Sequence, residues 1–121
     1  MIQVIKIILK WNPISTQHLY WQKGKIRYMK TEAKQLKQLY DYQILAQYRW
    51  KPLEDDLILE IKLYFKDKRR RDVDNWHKLS LDAMSWKIYN DDSQIQKMVV
   101  EKFIDKLNPR IEILINKLNY E

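Results

Sequence analysis

The chain has 121 residues, 45% of them hydrophobic and 32% charged, an ordinary balance for one folded unit and too short for two. One glycine, two histidines and no cysteine exclude a Walker loop, a dinucleotide-binding glycine fingerprint, a nucleophile elbow, thiolate chemistry and a histidine metal triad. The net charge of +7 is uneven: residues 1–53 carry ten basic and two acidic side chains, residues 54–121 thirteen and fourteen.

A basic half beside one that concentrates carboxylates suits a polyanion binder with an acidic site, although lysine-rich surfaces also serve solubility alone. An enzyme of this composition works with carboxylates, Lys, Ser or Tyr. The absence of Cys gives no sign of an oxidising compartment, so a cytoplasmic location is expected. The apolar run at residues 2–9 is short and broken by Lys6, which reads as a strand rather than a signal peptide or membrane segment.

In chain order, Ile5, Ile7 and Leu9 alternate with Val4, Lys6 and Ile8, which predicts a first strand. Residues 11–29 show little periodicity and read as a long irregular segment with Lys23, Lys25 and Arg27; loops of that length tend to carry function. Thr31 is placed to cap a helix running to about residue 49, with Leu36, Tyr40, Ile44 and Tyr48 at intervals of four. Pro52 and Glu54-Asp55-Asp56 end it. Leu57, Leu59, Ile61, Leu63 and Phe65 then form the clearest strand, which runs into Lys66-Asp67-Lys68-Arg69-Arg70-Arg71.

A second helix is expected over about residues 74–87, with Trp76, Leu79, Ala83 and Trp86 on one apolar face. Asn90-Asp91-Asp92-Ser93 reads as a turn. Two more strands follow, one within residues 95–103 and one at Ile111, Ile113 and Ile115 after Asn108-Pro109. The expected fold is α/β (α+β): a single domain over residues 1–121, with a small mixed sheet and two helices in the order β-α-β-α-β-β.

The chemistry concentrates between residues 69 and 92. Asp72 and Asp74 are two apart, which in extended chain points both carboxylates to one side. Lys78 follows one helical turn after Asp74. Clustered carboxylates raise one another's pKa unless a cation compensates, and Mg²⁺ prefers such hard oxygen ligands together with phosphate. Next to residues 69–71, a site of this kind would meet a phosphodiester.

Each piece also has a plainer reading. Asp72 or Asp74 would cap the second helix, and Asp91-Asp92-Ser93 would be a turn and nothing more. Lys78 would pair with Asp82 at i,i+4 for about 0.3 kcal/mol. The basic run would be a solvated strand end, His77 a surface or packing residue, and the helix tryptophans core rather than stacking platforms.

Together, Arg69-Arg70-Arg71-Asp72-Val73-Asp74-Asn75-x-x-Lys78, Leu81-Asp82-Ala83 and Asn90-Asp91-Asp92-Ser93-Gln94-Ile95 closely resemble the RusA-type Holliday-junction resolvases, small Mg²⁺-dependent endodeoxyribonucleases of bacteria and phages. The resemblance is dense over residues 57–102 and looser toward the N-terminus, where Trp11-x-Pro13-x-Ser15 looks like the family's opening segment. It implies a homodimer that cuts symmetrically related strands of a four-way DNA junction, with Mg²⁺ as cofactor and Mn²⁺ able to substitute. It puts the metal-binding and catalytic carboxylates at Asp72, Asp74 and Asp92, with Asp91 nearby, and the family's essential lysine at Lys78. Arg71 and Asn75 match further motif positions.

We expect Lys68, Arg69, Arg70 and Arg71, with Lys23, Lys25 and Arg27 from the first half, to hold phosphates, and no membrane to be involved. The chain departs from the family pattern in two places: Thr16-Gln17-His18 stands where an Asn is usual, and the interval between Leu81-Asp82-Ala83 and Asp91-Asp92 lacks a Gly and is slightly short. A second reading, from another class, is a non-catalytic basic protein that binds branched or duplex DNA.

Overall fold

The computed structural model describes residues 4–10, 20–23, 26–71, 73 and 76–118, with backbone alone for 20–23 and 26–28. Its elements are β1 (Val4–Lys10), β2 (Tyr20–Lys23), β3 (Ile26–Met29), α1 (Thr31–Gln47), β4 (Leu57–Phe65), α2 (Lys78–Met84), a 3₁₀ turn (Asp92–Gln94), β5 (Ile95–Ile104) and β6 (Arg110–Lys117). The main sheet and the two helices follow the expected order. The sheet is mixed: in the order β1-β6-β4-β5, β6 is antiparallel to both neighbours and β4 runs parallel to β5.

Strand alternation decides which face is buried. Ile7 and Leu9 of β1, the odd-numbered residues of β4, and Ile111, Ile113 and Ile115 of β6 all point to one side and are buried. Against them pack Ala33, Leu36, Tyr40 and Ile44 of α1 and Leu79, Ala83 and Met84 of α2. The period of two in the strands thus meets the helical period in a single core.

Three expectations about local structure change. Residues 20–23 and 26–29, read as irregular, form an antiparallel hairpin with Lys23 opposite Ile26. The signal was Gly24-Lys25 between Tyr20-Trp21 and Ile26-Arg27-Tyr28, a two-residue, glycine-led connection flanked by strand formers. Helix α1 starts with Thr31 inside it: extended Lys30 holds the cap position without a side-chain bond, and extended Tyr48 ends the helix. Helix α2 runs only over Lys78–Met84, with His77 at its N-cap position and no side-chain cap bond; Asp72 and Asp74, expected near its start, lie outside the described residues.

The two edges of the sheet are treated differently. At β1, Gln47 accepts from the Ile8 N–H (2.8 Å) and donates to the Ile8 carbonyl (2.7 Å). One turn earlier Gln43 does the same at Lys10, at 2.7 and 3.4 Å. Two amide side chains thus stand in for a further strand and close that edge. At β5, no described group bonds the outward backbone. Met98, Val99, Phe103 and Ile104 of that strand are exposed as well.

On the sheet face away from the helices, Arg110 bonds Asp105 (2.7 Å) and Glu112 (2.9 Å) and lies 3.8 Å from the centre of the Tyr64 ring. The hydrogen bond from Arg110 holds the Asp105 carboxyl below its ordinary value. Partial burial pushes Glu112 up, but Lys6 and Arg110 outweigh it and the net direction is down. Carboxyls depressed in the folded state add stability above their ordinary pKa values of 3.8 and 4.5, and lose it as pH falls through the lower folded values. Between about pH 5 and pH 3, urea unfolding of the wild type should therefore lose stability more steeply than that of Arg110→Ala. Parallel acid limbs would show that the cluster does not stabilise the fold.

Candidate metal and nucleic-acid site

The parallel pairing of β4 with β5 requires a crossover, and the whole motif region lies on it. The chain leaves β4 at Phe65, passes residues 66–77, forms α2 and returns through the 3₁₀ turn into β5. Asp72, Asp74, Asn75 and Lys25 lie outside the described residues, as do the side chains of Lys23 and Arg27.

The described residues on either side of Asp72 and Asp74, Arg71 and Trp76, are both held against the end of β4. Arg71 turns inward, its side chain only 12% exposed, and pairs with the Asp67 carboxylate at 2.8 Å and the Asp67 carbonyl at 3.1 Å. Its guanidinium lies 4.3 Å from the centre of the Phe65 ring and 5.7 Å from that of Trp76, while the two rings meet edge to face at 5.3 Å. Arg71 and Trp76 bracket residues 72–75, so their shared stack on Phe65 ties the two ends of that stretch to the end of β4. Lys102 of β5 adds a third tie by donating to the Arg71 carbonyl.

The Asp67 carboxyl is held below its ordinary value by the Arg69 N–H first and then by Arg71, so it remains the anion this clamp needs. Arg69, 80% exposed, stays outside, and Lys68 and Arg70 are exposed with no ion pair among the described residues. A groove of about 310 Å³ runs between Phe65, residues 67–69, Arg71 and residues 102–104. Its four cationic side chains against one carboxylate favour a phosphate there. A larger cavity of about 620 Å³ lies between β1 and the end of α1, but carries no carboxylate, imidazole or hydroxyl beyond Tyr48.

The acidic turn is built from local hydrogen bonds. Asp91 caps the 3₁₀ turn by accepting from the Ser93 N–H (3.0 Å), and the Gln94 side chain accepts in return from the Asp91 N–H (2.9 Å). Gln94 also donates to the carbonyls of Leu53 (2.8 Å) and Asp55 (3.0 Å), which fixes the turn to the chain before β4. Bonds from Ser93 hold the Asp91 carboxyl below its ordinary value.

Asp92 is oriented separately. Its Oδ1 accepts from Ser85 Oγ (3.1 Å) and from the hydroxyl of Tyr89 (3.0 Å), whose ring is buried and whose single proton it shares with the Leu81 carbonyl at 3.2 Å. Burial and the Asp92 charge push the Tyr89 pKa up, so the phenol remains a donor. Both bonds fall on one oxygen, which among the described residues leaves Oδ2 of this exposed carboxylate clear for a ligand. A fixed carboxylate with one free oxygen suits a hard divalent cation. Among the described residues no three carboxylate or imidazole side chains assemble around one point.

Lys78, the first residue of α2, meets Asp82 at 3.6 Å. A half-exposed pair of this length contributes little, about 0.3 kcal/mol, so the ammonium is readily drawn to a phosphate. Residues 69–71 and the turn at 91–92 stand toward opposite ends of β5: Lys102 touches Arg71, whereas Asp92 just precedes Ile95.

Sequence reasoning missed Asp67, Ser85 and Tyr89, whose partners lie three to seven residues away but meet them only through side-chain directions set by the fold, and Lys102, which reaches Arg71 from β5. The Asp91-x-x-Gln94 spacing carried the signal for a capping box, where the sequence reading gives only a turn. Trp86, expected on the buried face of the second helix, is 75% exposed, because α2 ends at Met84 and the turn after it carries the indole outward.

Compared with known families, residues 10–116 match the model of "Endodeoxyribonuclease RusA". No curated protein matches the chain.

Proposed function

Because the chain belongs to the RusA endodeoxyribonuclease family, and is on that ground an enzyme that cuts DNA, we propose that it is a Mg²⁺-dependent, structure-selective endonuclease. In this reading it resolves Holliday junctions by paired, symmetric phosphodiester hydrolysis during recombination and repair. The observation that carries the reading is Asp92, held through one oxygen by two hydroxyls with the other unbonded among the described residues, on the same crossover that carries Asp72 and Asp74 in sequence.

Asp72 and Asp74, with Asp92 and nearby Asp91, would hold the cation, the acidic turn coming from a second copy because it stands at the other end of β5 from residues 69–71; when bound, the cation supplies water activation and stabilisation of the leaving oxygen. The protein's own part is placement and charge. Lys78 neutralises charge on the phosphoryl oxygens. Lys68, Arg69 and Arg70 grip flanking phosphates, and Arg71 with Asp67 keeps the carboxylate segment in position. Asn75, Lys23, Lys25 and Arg27 complete the DNA contacts.

The test is incubation of a four-way junction with Mg²⁺, for wild type beside Asp74→Asn. Wild type should introduce paired nicks, and the variant should bind without cutting. Binding without nicking by wild type, in Mg²⁺ or Mn²⁺, would instead favour a non-catalytic DNA-binding protein. Equal cutting of junction and duplex would remove the structure selectivity alone.

Paired incision calls for two sites related by a two-fold axis, and β5 is where a second copy would pair. Antiparallel self-pairing centred on Val99 sets Lys97 opposite Glu101 on both sides of the axis, and it covers the one sheet edge left without glutamine caps. In that arrangement residues 69–71 of one copy lie toward the acidic turn of the other. Lys97→Glu should weaken dimerisation by about tenfold in sedimentation, and adding Glu101→Lys should restore it. A monomeric wild type at micromolar concentration, with or without junction, would count against this seam.

A further inference from the structure

Trp86 combines two unfavourable properties. Among the described residues it is the only non-glycine residue at positive φ (69°), and 75% of it is exposed. A left-handed backbone costs a residue with a Cβ about 1–2 kcal/mol, which is why glycine or asparagine usually follows a helix in this way. A tryptophan in solvent also gives up burial that its ring would otherwise contribute.

Backbone bonds hold the turn that carries the ring. The N–H groups of Lys87 and Ile88 both donate to the Met84 carbonyl (3.1 and 3.0 Å), and the Trp86 N–H donates to the Tyr89 carbonyl at 2.6 Å. The indole is therefore carried on a fixed backbone. Its neighbours in that turn are Ser85 and Tyr89, the two residues whose hydroxyls hold Asp92. Lys87 points elsewhere, to Asp41 (3.0 Å) and the Ala83 carbonyl (2.8 Å).

A solvent-facing indole on a hydrogen-bonded turn, next to the residues that hold a carboxylate of the acidic turn, suits a flat ligand beside the cut phosphate. In duplex DNA every base face is already stacked; at a branch point bases unstack most readily. We propose that Trp86 stacks on an unstacked nucleobase at the branch point and so contributes to the preference for branched over duplex DNA. The inference rests on the reading of the chain as a branched-DNA endonuclease.

Trp86→Gly separates this role from a structural one, because glycine relieves the positive φ. Affinities are measured in Ca²⁺ for a four-way junction carrying 2-aminopurine at the branch point and for a duplex of the same arm sequence. The variant should melt at a higher temperature than wild type, yet bind the junction about tenfold more weakly, with duplex affinity changed by less than about twofold. Trp86→Phe should retain most of the junction affinity and of the 2-aminopurine response.

Unchanged junction affinity in Trp86→Gly overturns the proposal, as does an equal loss on junction and duplex. A shift of Trp86→Gly to a smaller species in sedimentation also overturns it and assigns the indole to a protein contact. Wild type with no preference for the junction removes the underlying reading itself, and that is seen before any variant is compared.

Discussion

Asp92→Asn is expected to slow junction cleavage on the order of 10³-fold in single-turnover experiments, while junction affinity in Ca²⁺ and the unfolding midpoint stay close to wild type. Asparagine keeps a carbonyl oxygen to accept from Ser85 and Tyr89, so the turn is preserved. What it removes is the negative charge and the second carboxylate oxygen that a divalent cation needs. Tyr89→Phe tests the same arrangement one step further out. The ring still fills its buried place, but the hydroxyl that donates to Asp92 is gone, and about 1 kcal/mol of stability goes with it. Loss of a group that orients a ligand should lower activity about 10- to 100-fold, with part of it regained at higher Mg²⁺. An Asp92→Asn enzyme that keeps a tenth or more of the wild-type rate would remove Asp92 from the site.

The second large effect concerns Arg71. Arg71→Ala removes the Asp67 pair and the guanidinium that stacks with Phe65 and Trp76, and it should destabilise the protein by about 2 kcal/mol. Arg71→Lys should recover less than half of that, since an ammonium cannot pair in two directions while lying flat on a ring. For cleavage, the expected signature is a rate that falls much further than junction affinity, because the side chain positions the carboxylate segment and its charge is already engaged. Arg70→Ala should behave in the opposite way, weakening binding to any DNA and lowering the slope of log affinity against log salt by about one. If Arg71→Ala shows the Arg70 pattern, Arg71 is a phosphate contact and the clamp is incidental.

The main-sheet strands were legible because β4 and β6 alternate cleanly between a buried and an outward face, and α1 repeats every fourth residue from Leu36 to Ile44. The second helix was over-read for an identifiable reason. Trp76 and Trp86 fall on the helical spacing, but one packs against Phe65 before the helix begins and the other stands in the turn after it ends. Hydrophobic periodicity cannot report where backbone bonds stop. The hairpin of β2 and β3 was under-read, because its strands are four residues each and too short for a period of two to register.

What the amino-acid order determined by itself was the local and covalently close part. It set the alternating strands, the capping box at Asp91-x-x-Gln94, the two-residue spacing of Asp72 and Asp74, and a composition that left carboxylates and lysine as the available chemistry. Tertiary structure decided the long-range part. It placed β6 between β1 and β4, closed the β1 edge with Gln43 and Gln47 but left β5 bare, turned Arg71 inward onto Asp67, and set Ser85 and Tyr89 on one oxygen of Asp92. The physical reason is common to all of these. Local hydrogen bonds and periodicities are short-range terms that a segment satisfies alone. The hand-off of a buried or charged group to a partner, whether in the neighbouring turn or on a strand tens of residues away, exists only once the fold has set the direction of both side chains.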